Sequence, residues 1–183
     1  TALTREVWEA VNESWMLLSE WLSRPVKEAM LGQVLAAIRR QMTLVRGAMD
    51  GTMLRNEVHN FMRIGTFIER ADNTARILDV KYHILLPSAT DVGGALDTAQ
   101  WQAVLRSASA LDAYRRYHVR EILPWKAAEF LIFSDSFPRS LHFCVAQVDD
   151  QLRRILGETG ARPRSAAARA SRRLLGELES RTI

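Results

Sequence analysis

F-M-R-I-G-T-F-I-E-R-A-D-N-T-A-R-I-L-D-V-K-Y-H-I-L-L-P, residues 61–87, is the stretch that decides the fold. Its apolar residues recur at alternating spacings of three and four, the pattern of a helix that buries one stripe. Because the pattern continues to Pro87, we predict a long helix over residues 52–86, about 50 Å in length at about 1.5 Å per residue. The predicted buried stripe consists of Phe61, Ile64, Ile68, Ala71, Ala75, Leu78, Tyr82 and Leu85.

The opposite side of this helix is polar. At about 100° per residue it carries Gly65, Glu69, Asp72, Asn73, Arg76 and His83. A solvated helix face ordinarily uses interchangeable Lys and Glu, whereas this face uses short, forked and amide side chains. We therefore expect it to meet specific groups.

Two interpretations of the polar face stay open on the residues alone. In the first, it forms a buried or half-buried network of ion pairs that fixes the helix register, because buried charges persist only when paired. In the second, it is a ligand site. Glu69 or Asp72 would then act as acid, base or metal ligand, and Arg76 would grip a carboxylate or phosphate with two parallel donors.

Helical patterns also cover the rest of the chain, and no segment alternates with a period of two over the length of a strand. The boundaries follow capping and turn-forming residues: Thr4, Pro25, Asp50-Gly51, a loop over 88–97, Asp135-Ser136, and a linker over 157–165. We therefore predict an all-α fold, a bundle of about six to seven helices around the one long central helix. Residues 1–156 form the bundle, and residues 157–183 form an Arg-rich linker and a C-terminal helix packed on the same domain.

Composition excludes several classes of function. The chain has 183 residues and a net charge of +4, and six Arg against three Glu in residues 157–183 supply most of that charge. The nearly neutral body argues against a nucleic-acid surface. No apolar run is long enough to span a bilayer, and no signal-like segment opens the chain. Together with a single cysteine, Cys144, which we interpret as a buried structural side chain, this predicts a cytoplasmic location.

The common metal and nucleotide signatures are missing from the sequence. None of the four histidines is preceded by Glu at the spacing of a di-iron bundle. Gly93-Gly94 lacks the Lys of a phosphate-binding loop, and Asp79 with His83 offers only two ligands. We therefore expect neither a metal nor a cofactor.

Five segments, in this order, resemble the bacterial alpha-E domain family. They are R-E-V-W-E-A-V-N (5–12), D-G-T-M (50–53), the first twenty residues of the opening stretch (61–80), W-Q-A-V-L-R-S-A-S-A-L-D-A-Y (101–114) and F-P-R-S-L (137–141). The resemblance covers about residues 4–156, and its E-R-A-D-N-T-A-R core (69–76) is far more specific than a heptad repeat. Family members carry an earlier segment of similar type, so the chain resembles the C-terminal half to two-thirds of the family. The resemblance implies that the polar faces of two such helices meet. The helix that meets Glu69 and Arg76 would then come from a second chain or from the earlier segment of the family.

The resemblance also implies a biological setting, because such domains occur beside ATP-grasp and transglutaminase-like proteins. Those proteins are the implied partners, in an ATP-dependent amide-forming or peptide-modifying system. Our leading hypothesis is an accessory or scaffolding helical module. The alternative is an enzyme of the same pathway whose Glu69/Asp72/Arg76 site handles an amino-acid or peptide carboxylate. Self-association is left open, and a third hypothesis has the Arg-rich tail bind an anionic polymer. The motif positions carried over are Glu69, Arg70, Asp72, Asn73, Arg76 and, more weakly, Arg139, none with an assigned catalytic role.

Overall fold

The computed structural model describes residues 2–85, 92–118, 121–157 and 165–181, and within them it shows eight α-helices and no strand. The all-α prediction is confirmed. The helices are α1 (Arg5–Leu22), α2 (Glu28–Thr52), α3 (Glu57–His83), α4 (Ala95–Ser107), α5 (Leu111–Tyr117), α6 (Pro124–Phe133), α7 (Leu141–Leu156) and α8 (Ala166–Glu179). The chain forms two compact units, Thr1–His59 and Asn60–Ile183, which we call unit 1 and unit 2.

Unit 1 is built on an antiparallel hairpin of α1 and α2. Thr4 caps α1 by accepting a hydrogen bond from the Val7 N–H at 3.4 Å, and its hydroxyl lies 2.6 Å from that of Thr52. Midway along the hairpin, the buried Ser14 hydroxyl donates to Gln41 Oε1 at 3.1 Å. The early residues of α1 thus meet the late residues of α2, which fixes the antiparallel direction.

The turn predicted at Asp50-Gly51 is wrong, because α2 continues through it to Thr52. A glycine inside a helix costs only about 1 kcal/mol relative to alanine, and the apolar spacing continues from Met49 to Met53, both buried. The chain leaves the helix at Met53, where the backbone becomes extended.

The core of unit 2 lies among α4, α5 and α6, and two half-buried residues of α3, Ile77 and Leu78, pack against it. Its buried members are Trp101, Val104, Leu105, Ala108, Ala110, Tyr114, Ala127, Phe130, Leu131 and Phe137. Ser109, with φ of 54°, separates α4 from α5. Because Ala108 and Ala110 on either side are both buried, the apolar pattern gives no sign of this break.

The last two helices pack on each other within unit 2. The Ser140 hydroxyl, and not the predicted Asp135-Ser136, caps α7 by accepting from the Phe143 N–H at 3.0 Å. The buried Asp149 carboxylate of α7 accepts hydrogen bonds at Oδ1 from Arg172 Nε and the Ser171 hydroxyl of α8, both at 3.2 Å. Arg172 Nη2 and Arg153 Nε form ion pairs with Oδ2 at 3.0 Å and 3.1 Å. This shared carboxylate holds the C-terminal helix to α7.

Candidate functional site

The buried side of α3 differs from the predicted stripe. The residues buried along α3 in unit 2 repeat every seven positions and are Asn60, Phe67, Thr74 and Lys81. Phe61, Ile68 and Tyr82, predicted inside, are 58%, 55% and 68% exposed. Ile64, Ala71 and Leu78 of the predicted stripe are half-buried, so the prediction holds in part, and the buried side is rotated by less than the about 100° between neighbouring residues. Three of the four buried residues are polar, so an apolar pattern could not identify them.

The inner half of the E-R-A-D-N-T-A-R motif binds a turn that precedes α7. Thr74 Oγ1 donates to the main-chain carbonyl of Arg139 at 2.8 Å, and Arg70 Nη1 donates to that of Pro138 at 3.3 Å. The Arg70 guanidinium also lies over the Phe67 ring, 5.2 Å from its centroid. Arg139 therefore meets the motif through its backbone carbonyl. The structure brings two segments of the family resemblance, 69–76 and 137–141, into direct contact.

Cys144 lies beside this junction and is buried, as the sequence predicted. Its Sγ is 3.7 Å from the Pro138 carbonyl. Burial raises the pKa of the Cys144 thiol to about 11, although the charges of Arg70 and Arg139 act in the opposite direction. The group is therefore a thiol at neutral pH and a poor nucleophile.

The outer half of the motif is exposed and bonds along its own helix. Asn73 Nδ2 donates to Glu69 Oε1 at 2.6 Å, and Arg76 Nε donates to Asp72 Oδ2 at 2.7 Å. The Arg76 and Asp72 side chains are 75% and 55% exposed. The hydrogen bond that Arg76 donates to Asp72, followed by the negative charge of Asp72, raises the pKa of Arg76. The expectation of a buried or half-buried network is wrong for these four residues, and exposed pairs of this kind add little stability.

The candidate residues therefore separate into two groups. Arg70 and the Arg139 carbonyl lie together on the inner side, whereas Glu69, Asp72, Asn73 and Arg76 lie on the outer side. Four cavities of about 520–590 Å³ in the described part of the chain are lined by other residues, and none of the four outer residues borders them. The Glu-Arg dipeptide itself spans the division, with Glu69 facing outward and Arg70 inward.

One cavity in unit 2 adjoins a buried ion pair that sequence reasoning missed. The groove has a volume of about 520 Å³ and is bordered by α3, α4 and α6. Lys81 Nζ donates to Asp97 Oδ1 at 2.7 Å, Gln100 Oε1 at 2.8 Å and the Leu85 carbonyl at 3.4 Å. Because these bonds use all three ammonium protons, Lys81 has no donor left for a ligand.

The Asp97 carboxylate is equally enclosed. Both Asp97 and Lys81 have side chains that are 2% exposed, and Asp97 Oδ2 also accepts from the Gly93 N–H at 2.9 Å. Burial alone would raise the pKa of Asp97, but the hydrogen bonds from Lys81 and Gly93 and the Lys81 charge together lower it below its usual value. The pair is a structural link between α3 and α4.

No described residues form a cluster of three or more His, Cys, Asp or Glu that could hold a metal ion. Asp79 and His83 do pair, at 3.4 Å, but both are largely exposed. Among the described helices, none combines the length and the apolarity needed to cross a bilayer.

Exposed apolar side chains of α1 and α2 form a surface of unit 1, which we call the hairpin face. Trp8 and Trp15 of α1 are 59% and 71% exposed. At about 100° per residue in an antiparallel pair, they lie on the same side as exposed residues of α2. The hairpin face consists of Trp8, Val11, Trp15, Leu22, Leu31, Leu35 and Met42.

These features define an all-helical protein in which a Glu-Arg motif joins a structural contact on one side to an exposed surface on the other. The chain belongs to the Alpha-E family, described as "a predicted alpha-helical domain with a conserved ER motif", whose model matches residues 1–183. The match extends beyond the residues 4–156 covered by the resemblance, and Glu69-Arg70 is the one Glu-Arg dipeptide in the sequence. Comparisons with curated proteins and with solved structures gave no significant match.

Proposed function

We propose that this protein is a non-catalytic accessory module that binds an ATP-grasp-type ligase of an amide-forming or peptide-modifying system. The hairpin face is the observation that carries this proposal. Monomeric proteins rarely expose large contiguous apolar patches, and such patches mark sites of protein interaction. The partner follows from the family resemblance, with a transglutaminase-like protein of the same system as a second partner.

Two tryptophans suit the hairpin face to this role. Trp is enriched among the residues that dominate binding energy, because one rigid side chain buries a large area. Trp15 lies near the middle of α1, where a docked partner would surround it and exclude water. We expect Trp15 to contribute about 2 kcal/mol or more to binding, which is about 30-fold in Kd.

The outer motif residues support an accessory role over the enzymatic alternative. A site that converts an amino-acid or peptide carboxylate requires a concave pocket that encloses the substrate and excludes water. Glu69, Asp72 and Arg76 instead lie on the exposed side of α3. A surface of this form suits contact with another protein.

Binding of the ligase is tested by isothermal titration with the wild-type chain and two variants. Trp15→Glu places a charge on the hairpin face and should weaken binding about 30-fold or more. Leu44→Glu is the matched control, because Leu44 is also exposed on α2 but points to the opposite side of the hairpin. It should leave the Kd unchanged. Absence of binding by the wild-type chain, or equal losses in both variants, would contradict the proposal.

The enzymatic alternative has its own test in the same system. Ligase, ATP and candidate amino acids or peptides are incubated with and without this chain, and products are identified by mass spectrometry. An accessory module changes the rate or the yield of the ligase reaction, and the Glu69→Gln variant of this chain should have the same effect as the wild-type chain. A product formed by this chain without the ligase, and lost in Glu69→Gln, would establish the enzyme instead.

A further inference from the structure

The outer side of α3 carries a second apolar surface, separate from the hairpin face. Phe61, Ile68, Ala75 and Tyr82 follow one another at intervals of seven, and each is exposed. Side chains repeated at this spacing form one seam along a helix, which is how two helices pair lengthwise. Phe61 and Tyr82 mark the two ends of this stripe, which we call the α3 stripe.

We infer that the α3 stripe pairs with the α3 stripe of a second copy of this chain, antiparallel and about a two-fold axis. An axis midway between Ala71 and Asp72 places Phe61 opposite Tyr82 of the other copy, and Ile68 opposite Ala75. Each large side chain at the centre then meets a small one, and the two aromatic rings meet at the ends. A two-fold interface needs a patch that is complementary to itself, and this arrangement supplies one.

The charges beside the stripe favour the same arrangement. Glu69 and Arg76 flank one edge of the stripe, seven residues apart. In the antiparallel pairing, Glu69 of each copy lies about two residues, or about 3 Å along the axis, from Arg76 of the other. A parallel pairing would instead put Glu69 and Arg76 of the two copies on opposite sides of the interface, where they could not pair. Only the Nε atom of Arg76 is engaged by Asp72 within the described structure, so its two Nη groups remain to bind the second copy.

Gly65 supports close approach on this side. A Cβ placed on Gly65 would meet no atom within 4 Å, so packing within the chain does not require glycine there. Glycine inside a helix costs about 0.5–1 kcal/mol relative to alanine. The bare backbone at Gly65, beside the α3 stripe, lets a second helix lie closer than a side chain would allow.

The size of the interface sets its strength. α3 is about 40 Å long, and a single helix pair lies near the low end of specific interfaces, which bury about 1,200–2,000 Å² in total. We therefore expect a dimer with a Kd on the order of 1–100 μM. Sedimentation velocity over about 1–300 μM protein covers this range.

A charge exchange between two variants tests the inference. Glu69→Arg and Arg76→Glu should each weaken self-association at least tenfold, because each variant places like charges opposite each other twice. Mixing the two variants should restore association to near the wild-type level, since every Arg then faces a Glu. Arg154→Glu is the matched control: Arg154 forms an exposed pair with Asp150 of the same spacing, on α7, and its reversal should have no effect.

An apolar variant and the ligase measurement separate this inference from the proposed function. Ile68→Glu should abolish dimerisation with an unchanged circular dichroism spectrum, because Ile68 is already exposed in the chain. Trp15→Glu, which disables the hairpin face, should dimerise normally, and Glu69→Arg should still bind the ligase. A wild-type chain that stays monomeric, single variants that associate like wild type, or a mixture that fails to associate would overturn the inference.

Discussion

Removing one partner of the buried Lys81–Asp97 pair is the sharpest perturbation of stability that the fold offers. Asp97→Asn leaves the Lys81 ammonium, 2% exposed, with neutral acceptors only: the new amide oxygen at position 97, Gln100 and Leu85. Breaking a buried pair in this way costs about 3–5 kcal/mol. This is a large part of the free energy of unfolding of a typical domain, which is about 5–15 kcal/mol. At about 2–4 °C per kcal/mol, the expected fall in Tm is about 6–20 °C.

Replacing both partners gives the contrasting result. Lys81→Met with Asp97→Leu removes both charges together with their desolvation cost, so the double variant should be within about 1 kcal/mol of wild type or more stable. Urea unfolding followed by tryptophan fluorescence measures both variants, because the Trp101 ring lies 5.6 Å from Lys81 Nζ. A cost below about 1 kcal/mol for Asp97→Asn, or a double variant worse than either single one, would refute the account of a desolvated pair.

Acid titration provides an independent check on the same pair. Because the pKa of Asp97 is lowered in the folded state, the carboxylate stabilises the fold above its unfolded value of about 3.9, and this stability is lost as pH falls through the folded pKa. The free energy of unfolding of wild type should therefore fall more steeply below about pH 4 than that of the double variant.

Two further predictions concern the C-terminal helices. Asp149→Asn weakens the bonds to Arg153 and Arg172 and should cost about 1.5–3 kcal/mol, with faster hydrogen exchange in α8 measured by mass spectrometry. Unchanged exchange in α8 would rule out this carboxylate as its attachment. Cys144, with a pKa of about 11, should react with iodoacetamide at pH 7.5 on the order of 100-fold more slowly in the folded chain than in urea. Equal rates would show that the thiol is accessible.

Local sequence signals predicted where helices begin and end better than they predicted which side of each helix is buried. Thr4 and the Arg-rich linker mark boundaries that the structure places at the start of α1 and of α8, since capping residues act within one turn of the chain. The break at Ser109 gave no such signal, because the residues on both sides of it are buried.

Which side of α3 is buried depends on residues that are far away in sequence. The pattern placed Phe61 and Tyr82 inside and left Thr74 and Lys81 unassigned. The structure buries Thr74 and Lys81 because the Arg139 carbonyl and Asp97 satisfy them. The spacing of apolar residues cannot predict the burial of a polar residue whose hydrogen-bond partner lies 65 residues away.

The candidate residues were predicted as one polar group, and the structure divides them. The resemblance included the segments 69–76 and 137–141 among five, but it did not predict that they touch, and residue type alone could not show that Arg70 faces inward and Glu69 outward. Thr74 was missed as a site residue, although it lies within the quoted motif. Adjacent positions on a helix differ by about 100°, so one motif serves two surfaces.

The central claim is that the inner half of the motif holds the fold and the outer half is reserved for contact with other molecules. Urea unfolding of Thr74→Val beside Glu69→Gln tests it most directly. Thr74→Val removes the donor to the Arg139 carbonyl and should lose about 1–3 kcal/mol, whereas Glu69→Gln should stay within about 0.5 kcal/mol of wild type. A loss above about 1 kcal/mol for Glu69→Gln, with Thr74→Val unchanged, would contradict the division.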